Sequence, residues 1–379
     1  MTLRIGLSLS PTWLRGDGWR RADSRVEQLY SGGFFVEAAR IAEAAHVDFL
    51  LKPDALVLDR EALSSWPGFG SPDPTVLMAA LAAETERIGL VTTVSTTFVP
   101  PFQIARQVQS LHQLSAGRAG WNVVTSLDGD ALHGTAPDDG VPGAGAAGSD
   151  SAARYARAHE AIDLVRRLWR SYPAEAVLAD RTTGRYVDAA LLRPVAHRGG
   201  QLAVAGMNTL PQHPAGPPPI LQAGGSEAGR ELAARTADAV FAMAPDVASA
   251  VSQRADLHAR AVRAGRRPGD LRVLPGVSLF LARTAAAARE LAAGSRSTAG
   301  GGRGASHWSI VGTPAEAARE IADWAGAGAL DGFIALPGGS WGSLRLFGED
   351  LMPRLVDLGL ARASYTGSTL AAHLGLPGR

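Results

Sequence analysis

The sequence predicts an α/β fold, a TIM (β/α)8 barrel with insertions, and three observations carry that expectation. Short β-like runs alternate with helical ones along most of the chain, the pattern of parallel βα units rather than of a meander or a bundle. Eight such units can be counted. The 379 residues exceed the ~250 of a plain barrel without reaching two large domains, so one domain with insertions over about 127–150, 172–219 and 294–306 fits best.

The strands are expected at Arg4 to Leu9, Asp48 to Leu51, Ile88 to Ser95, Ala119 to Val124, Ile220 to Gln222, Ala239 to Phe241, Arg272 to Phe280 and Gly332 to Leu336. The clearest helices are Thr75 to Thr85, Pro101 to Leu114, Tyr155 to Ser171 and Pro314 to Ala327. Asp73–Pro74 and Thr313–Pro314 each pair a capping side chain with proline at the first helical position. In the helix from Tyr155, residues Tyr155, Ala158, Ile162, Val165 and Trp169 step by three and four, placing Tyr155 on the face toward the barrel. Leu127 to Asp150 and Gly294 to Ala305 read as mobile loops suited to cover a barrel mouth, and Tyr172 to Pro219 as an ordered insertion.

Composition removes several function classes. With no cysteine, there is no disulfide, thiolate metal site or cysteine nucleophile. Lys52 is the lone lysine, so any Schiff-base chemistry would have to run through it. A net charge of +1 argues against nucleic acid. No apolar run of about 18 residues and no leader-like N-terminus is seen, so no membrane span is expected and the cytoplasm is the expected location. Neither HxH nor HExxH occurs, and no metal is expected.

Barrels of this class build their active sites from loops at the C-terminal strand ends. There stand Asp54, Thr96, Thr97, Asn122 and Thr125, and the Gly224–Gly225–Ser226 turn. The turn opens a helix, so free N–H groups and the helix dipole would suit a phosphate; a plain N-cap fits as well. Tyr155, with Ser151 one turn earlier, could reach the same anion, or Tyr155 could be core. Asn122 in GRAGWNVVTS is an amide on a barrel strand, which must find a partner: neighbouring backbone, or the ring edge of a cofactor. Lys52 and Asp54 read either as a local rim ion pair or, for Lys52, as a nucleophile. His307 follows the glycine-rich loop and either enters the pocket from above or is solvated; His133 and His159 are weaker candidates.

These motifs resemble those of the bacterial-luciferase-like flavin monooxygenases, in the branch of nitrilotriacetate monooxygenase, dibenzothiophene-sulfone monooxygenase and pristinamycin synthase. The markers are TERIGLVTTVSTTF (Thr85 to Phe98), LSAGRAGWNVVTS (Leu114 to Ser126), RYARAHEAIDLVRRLW (Arg154 to Trp169), ILQAGGSEAGRELAA (Ile220 to Ala234) and VGTPAEAA (Val311 to Ala318). The likeness runs from Leu3 to about Leu376. It implies a two-component oxygenase that takes reduced FMN as a diffusible co-substrate from a separate NAD(P)H-dependent flavin reductase and uses O2, through a flavin hydroperoxide, on a small organic substrate. By position it implies phosphate ligands at Ser226 and Tyr155 with backbone contact at Gly225, and Asp54, Thr97 and Asn122 along the ribityl chain and ring; Gly224, Thr96 and Ser151 complete the expected cofactor-binding set, the contact at Ser151 being shortened or lost. Asn122 and His307 are the expected catalytic residues, in a homodimer or homotetramer. Three departures stand out: Ser151 where the family commonly has histidine, LKPDA after the second strand, and ALHG near residue 133. Two other readings are an F420-dependent hydride-transfer oxidoreductase and a flavin-binding protein without turnover.

Overall fold

The computed structural model describes residues 2–126, 151–295 and 307–376. Eight parallel strands close on themselves: β1 (Arg4–Ser8), β2 (Phe49–Lys52), β3 (Gly89–Ser95), β4 (Ala119–Val124), β9 (Ile220–Ala223), β10 (Ala239–Ala242), β11 (Arg272–Leu281) and β13 (Gly332–Pro337), the last pairing back onto β1. The barrel is the expected one, and strand bounds differ from expectation by a residue at most. Helices α1 (Gly32–Ala44), α2 (Pro74–Glu84), α3 (Pro101–Leu114), α4 (Ser151–Arg170), α5 (Glu227–Thr236), α6 (Val247–Arg263), α7 (Ala285–Gly294) and α8 (Pro314–Gly326) lie between strands, with α9 (Trp341–Leu346), α10 (Met352–Asp357) and α11 (Leu370–His373) after the barrel. Helix α4 begins at Ser151, a turn before Tyr155.

Both expected caps form. The Asp73 carboxylate accepts from the amides of Thr75 and Val76. Thr313 and Glu316 close a reciprocal capping box at α8.

One feature was not foreseen, the strand β12, whereas the ordered insertion was expected. A further strand, β12 (Trp308–Gly312), runs parallel to the second half of β11 outside the eight. The Tyr172 to Pro219 segment holds two antiparallel hairpins, β5 (Val177–Asp180) with β6 (Arg185–Val187), and β7 (Val195–Arg198) with β8 (Ala203–Gly206). The Leu127 to Asp150 loop with His133 lies outside the described residues, as does most of Gly294 to Ala305.

Alternation along each strand separates two apolar regions. Leu7, Leu50, Leu90, Trp121, Val123, Val240 and Phe333 pack outward beneath the helices. Phe49, Leu51, Val91, Leu221, Ala239, Leu274 and Ile334 fill the interior together with Leu370, Leu374 and Leu376. Helix α11 thus plugs the N-terminal end of the barrel. Two glycines make room for it: a Cβ on Gly89 would lie 2.6 Å from a Leu370 methyl, and one on Gly120 2.5 Å from the other. Arg272 holds the plug through the carbonyls of Leu374 (3.1 Å) and Gly375 (2.9 Å).

Candidate active site

Because α11 closes the bottom, the accessible end is the mouth at the strand C-termini, where the sequence placed its candidates. Strand β4 carries Asn122 inward: Trp121 and Val123 face α3 and α4, and Gly120 faces the plug. Asn122 lies opposite Thr93 on β3. Its Nδ2 donates to Thr93 Oγ1 at 2.9 Å, and Thr93 donates onward to the Lys52 carbonyl at 2.7 Å. Asn122 is 4% exposed, and its Oδ1 has no hydrogen-bond partner. A buried acceptor left unmatched costs on the order of 1–3 kcal/mol, so it marks a place where a ligand donor would repay that cost. Thr96 and Thr97 are buried beside it; Thr96 donates through N and Oγ1 to the Val124 carbonyl, and the Thr97 amide donates to Ser95 Oγ. Ser126 and Ser95 join at 2.9 Å. Asp54 is exposed on the loop after β2.

The glycine–serine turn has its expected form. Ser226 caps α5, with Oγ accepting from the Gly229 amide at 3.1 Å. Tyr155 combines a core-packed ring with a hydroxyl at the turn. Its ring packs against the α3–α4 core, while its hydroxyl meets Ser226 Oγ at 3.0 Å. A Cβ on Gly225 would meet nothing within 4 Å, so the turn is open on one side. Gly229 must be small, since a Cβ there would sit 2.9 Å from the Tyr155 hydroxyl. Two hydroxyls, the first amides of α5 and the positive end of its dipole together form an anion cradle. Arg154 stands next to Tyr155 in the first turn of α4. Ser151 opens α4, but its side chain lies outside the described residues.

His307 enters the mouth. Its ring stacks on Phe241 at 5.2 Å with planes 5° apart, directly over Gly276, where a Cβ would collide with both rings. Burial lowers its pKa, favouring neutral imidazole, and Nδ1 has no partner. The supporting roles of Gly276 and Thr93 had no signal of their own in the sequence; only the register shows them.

Lys52 points away from the mouth. Its ammonium donates to the Pro53 carbonyl at 2.6 Å, and burial lowers its pKa to about 8 despite Asp54 and Asp73 nearby. This placement removes the nucleophile reading. His159 is exposed on α4. Trp13 and Trp341 belong to the core: they pack edge to face at 5.5 Å, each against Phe34.

Comparison with known proteins agrees with this geometry. Residues 21–331 match the family described as luciferase-like monooxygenase. The chain is 30% identical to nitrilotriacetate monooxygenase component A from Aminobacter aminovorans, covering 99% of this chain and 96% of that one. It is 31% identical to dibenzothiophene-sulfone monooxygenase from Rhodococcus erythropolis, covering 94% and 92%. Among solved structures, a riboflavin lyase with modified FMN and riboflavin superposes with a TM-score of 0.86 at 26% identity, covering 100% and 97%. An F420-dependent secondary alcohol dehydrogenase shares only the fold, at 15% identity and a TM-score of 0.61. The chain belongs to the luciferase-like monooxygenase family.

Proposed function

We propose that this chain, as a single domain, is the oxygenase component of a two-component system in the cytoplasm, taking reduced FMN from a separate NAD(P)H-dependent reductase and oxygenating a small organic substrate with O2. The observation that carries the reading is the pairing of an anion cradle at Tyr155 and Ser226 with an unmatched amide oxygen at Asn122 on the same mouth. The first suits a phosphate and the second a ring N–H, which together describe a phosphorylated heteroaromatic cofactor. Reduced FMN, when bound, supplies the electrons that activate O2.

The chain's own tasks are binding, orientation and exclusion of water. Ser226, Tyr155, the Gly224–Gly225 backbone and Ser151 would hold the phosphate. Asp54, Thr96 and Thr97 would line the ribityl chain, and Asn122 would hold the ring edge. His307, kept neutral by burial, can accept a proton at Nδ1 or release one from its other ring nitrogen. No side chain here is an obligatory nucleophile.

A homo-oligomer, dimer or tetramer, is part of this reading. A groove of about 690 Å³ between α2 and α3 leaves Val76, Phe102 and Leu114 exposed and holds both Asp73 and Arg106, so it can meet a second copy of itself with opposite charges.

The test is the affinity for reduced FMN, measured anaerobically by quenching of tryptophan fluorescence. Ser226→Ala with Tyr155→Phe should weaken binding by about 100-fold or more, the effect of losing two hydrogen bonds to a charged group. Unchanged affinity would remove the phosphate from this cradle. Turnover with reduced F420 and no oxygen uptake would favour hydride transfer instead.

A further inference from the structure

We propose that Thr93 is a positioning residue that fixes Asn122 with its carbonyl oxygen, and not its NH2, facing the barrel mouth, so that the bound ring must present an N–H at that edge. This rests on the reading of Asn122 as a cofactor contact.

The argument is a donor count. A threonine hydroxyl has one proton to give. In this structure that proton goes to the Lys52 carbonyl, 2.7 Å away on β2. Thr93 Oγ1 is then available to Asn122 only as an acceptor, and it takes Nδ2–H at 2.9 Å. Turning the amide over would set Oδ1 against the lone pairs of Thr93 and forfeit that bond. The strand pairing enforces the arrangement, because Thr93 and Asn122 are direct register partners on β3 and β4. Oδ1 is therefore presented to the interior at a side chain only 4% exposed, with no donor bonded to it among the described residues. Three adjacent strands thus convert an ambivalent amide into a dedicated acceptor. On an isoalloxazine the edge that answers it is one bearing N–H: N3 in either redox state, or N5 in the reduced form.

The experiment is a double-mutant cycle on the full chain, reading the dissociation constant of reduced FMN under anaerobic conditions. Asn122→Ala should weaken binding about tenfold, the usual worth of one buried hydrogen bond, and Thr93→Val should weaken it by a similar factor. Thr93→Ser, which keeps the hydroxyl, should bind as the parent does. In the Asn122→Ala background, Thr93→Val should cost nothing further. A Thr93 that mattered only for packing would give additive losses in the cycle, and that result overturns the proposal. So does Thr93→Val binding normally while Asn122→Ala does not. If Asn122→Ala itself has no effect, the placement of the ring falls and the proposal with it; if only the Ser226 and Tyr155 variants have no effect, the phosphate placement falls and the proposal stands.

Discussion

The two ends of this barrel spend their polar groups differently. At the bottom, side chains bond to the main chain. Arg118 alone donates to the carbonyls of Ala82, Thr85, Ile88 and Ser115 as well as to Thr85 Oγ1; His373 reaches the Arg87 carbonyl, His112 meets the Gly216 carbonyl, and Tyr365 donates to the Val47 carbonyl. At the mouth, side chains bond to the main chain too but also pair with one another: Asn122 with Thr93, Tyr155 with Ser226, Ser126 with Ser95. A bond to backbone is set by the fold and holds it in return. A bond between two side chains can be reopened by rotation, so a ligand can enter it. One end is built for stability and the other is kept available for exchange, and GRAGWNVVTS runs from the first to the second.

That contrast breaks hardest at Arg118. Its Nη2 caps the last turn of α2 through the Ala82 and Thr85 carbonyls, and the residue is only 4% exposed. Arg118→Leu leaves several buried carbonyls unmatched and should cost at least about 3 kcal/mol of unfolding free energy. Denaturant titration measures it. Protein that remains folded should bind flavin with unchanged affinity, and a parallel loss of affinity would mean the two ends are not separable.

Acid should attack the same end. Burial lowers His112 and His373 from 6.5 to about 4, so both fold as neutral imidazoles. Between pH 6.5 and 4 the unfolded chain holds more protons at these positions, and stability falls as the pH falls through that window. Asp48, raised by burial from 3.8 to about 6, acts in the opposite sense over the same range. Two imidazoles against one carboxyl leave a net loss of roughly 4 kcal/mol, at about 1.4 kcal/mol per unit. His373→Asn should flatten the profile of stability against pH; an unaltered slope would relocate the acid sensitivity.

The smallest stability effect, and the largest on turnover, is expected at Gly276→Ala. The added methyl needs the space held by His307 and Phe241. The rings should be displaced at a cost of about 1–2 kcal/mol, while substrate-dependent incorporation of labelled O2 falls with flavin affinity little changed. Retained turnover would remove His307 from the chemistry.

Much of this was legible in the sequence, and the gaps have causes. The barrel strands could be read because a two-sided buried strand is a short apolar run between turn residues, and Pro101–Leu114 and Ala119–Val124 were read to the residue. β12 escaped because it pairs only with the overlong half of β11, a tertiary fact; the length of Arg272 to Phe280 was the unread hint. Asn122 could be singled out because an amide is odd on a barrel strand, and Tyr155 and Ser226 from the helix spacing and the glycine–serine turn. Thr93 and Gly276 could not, because a threonine or glycine on a strand is ordinary until its neighbour across the sheet is known.

Gly120, inside the motif that marks the mouth, owes its lack of a side chain to Leu370, 250 positions later. Such a contact has consequences for biosynthesis. The interior beneath Phe49 and Val91 stays unsealed on the ribosome until α11 has emerged, so the nascent barrel must hold most of its strands without their lower cap. Shortening the chain ahead of Leu370 would then hurt the yield of folded protein well before it touched any residue of the mouth.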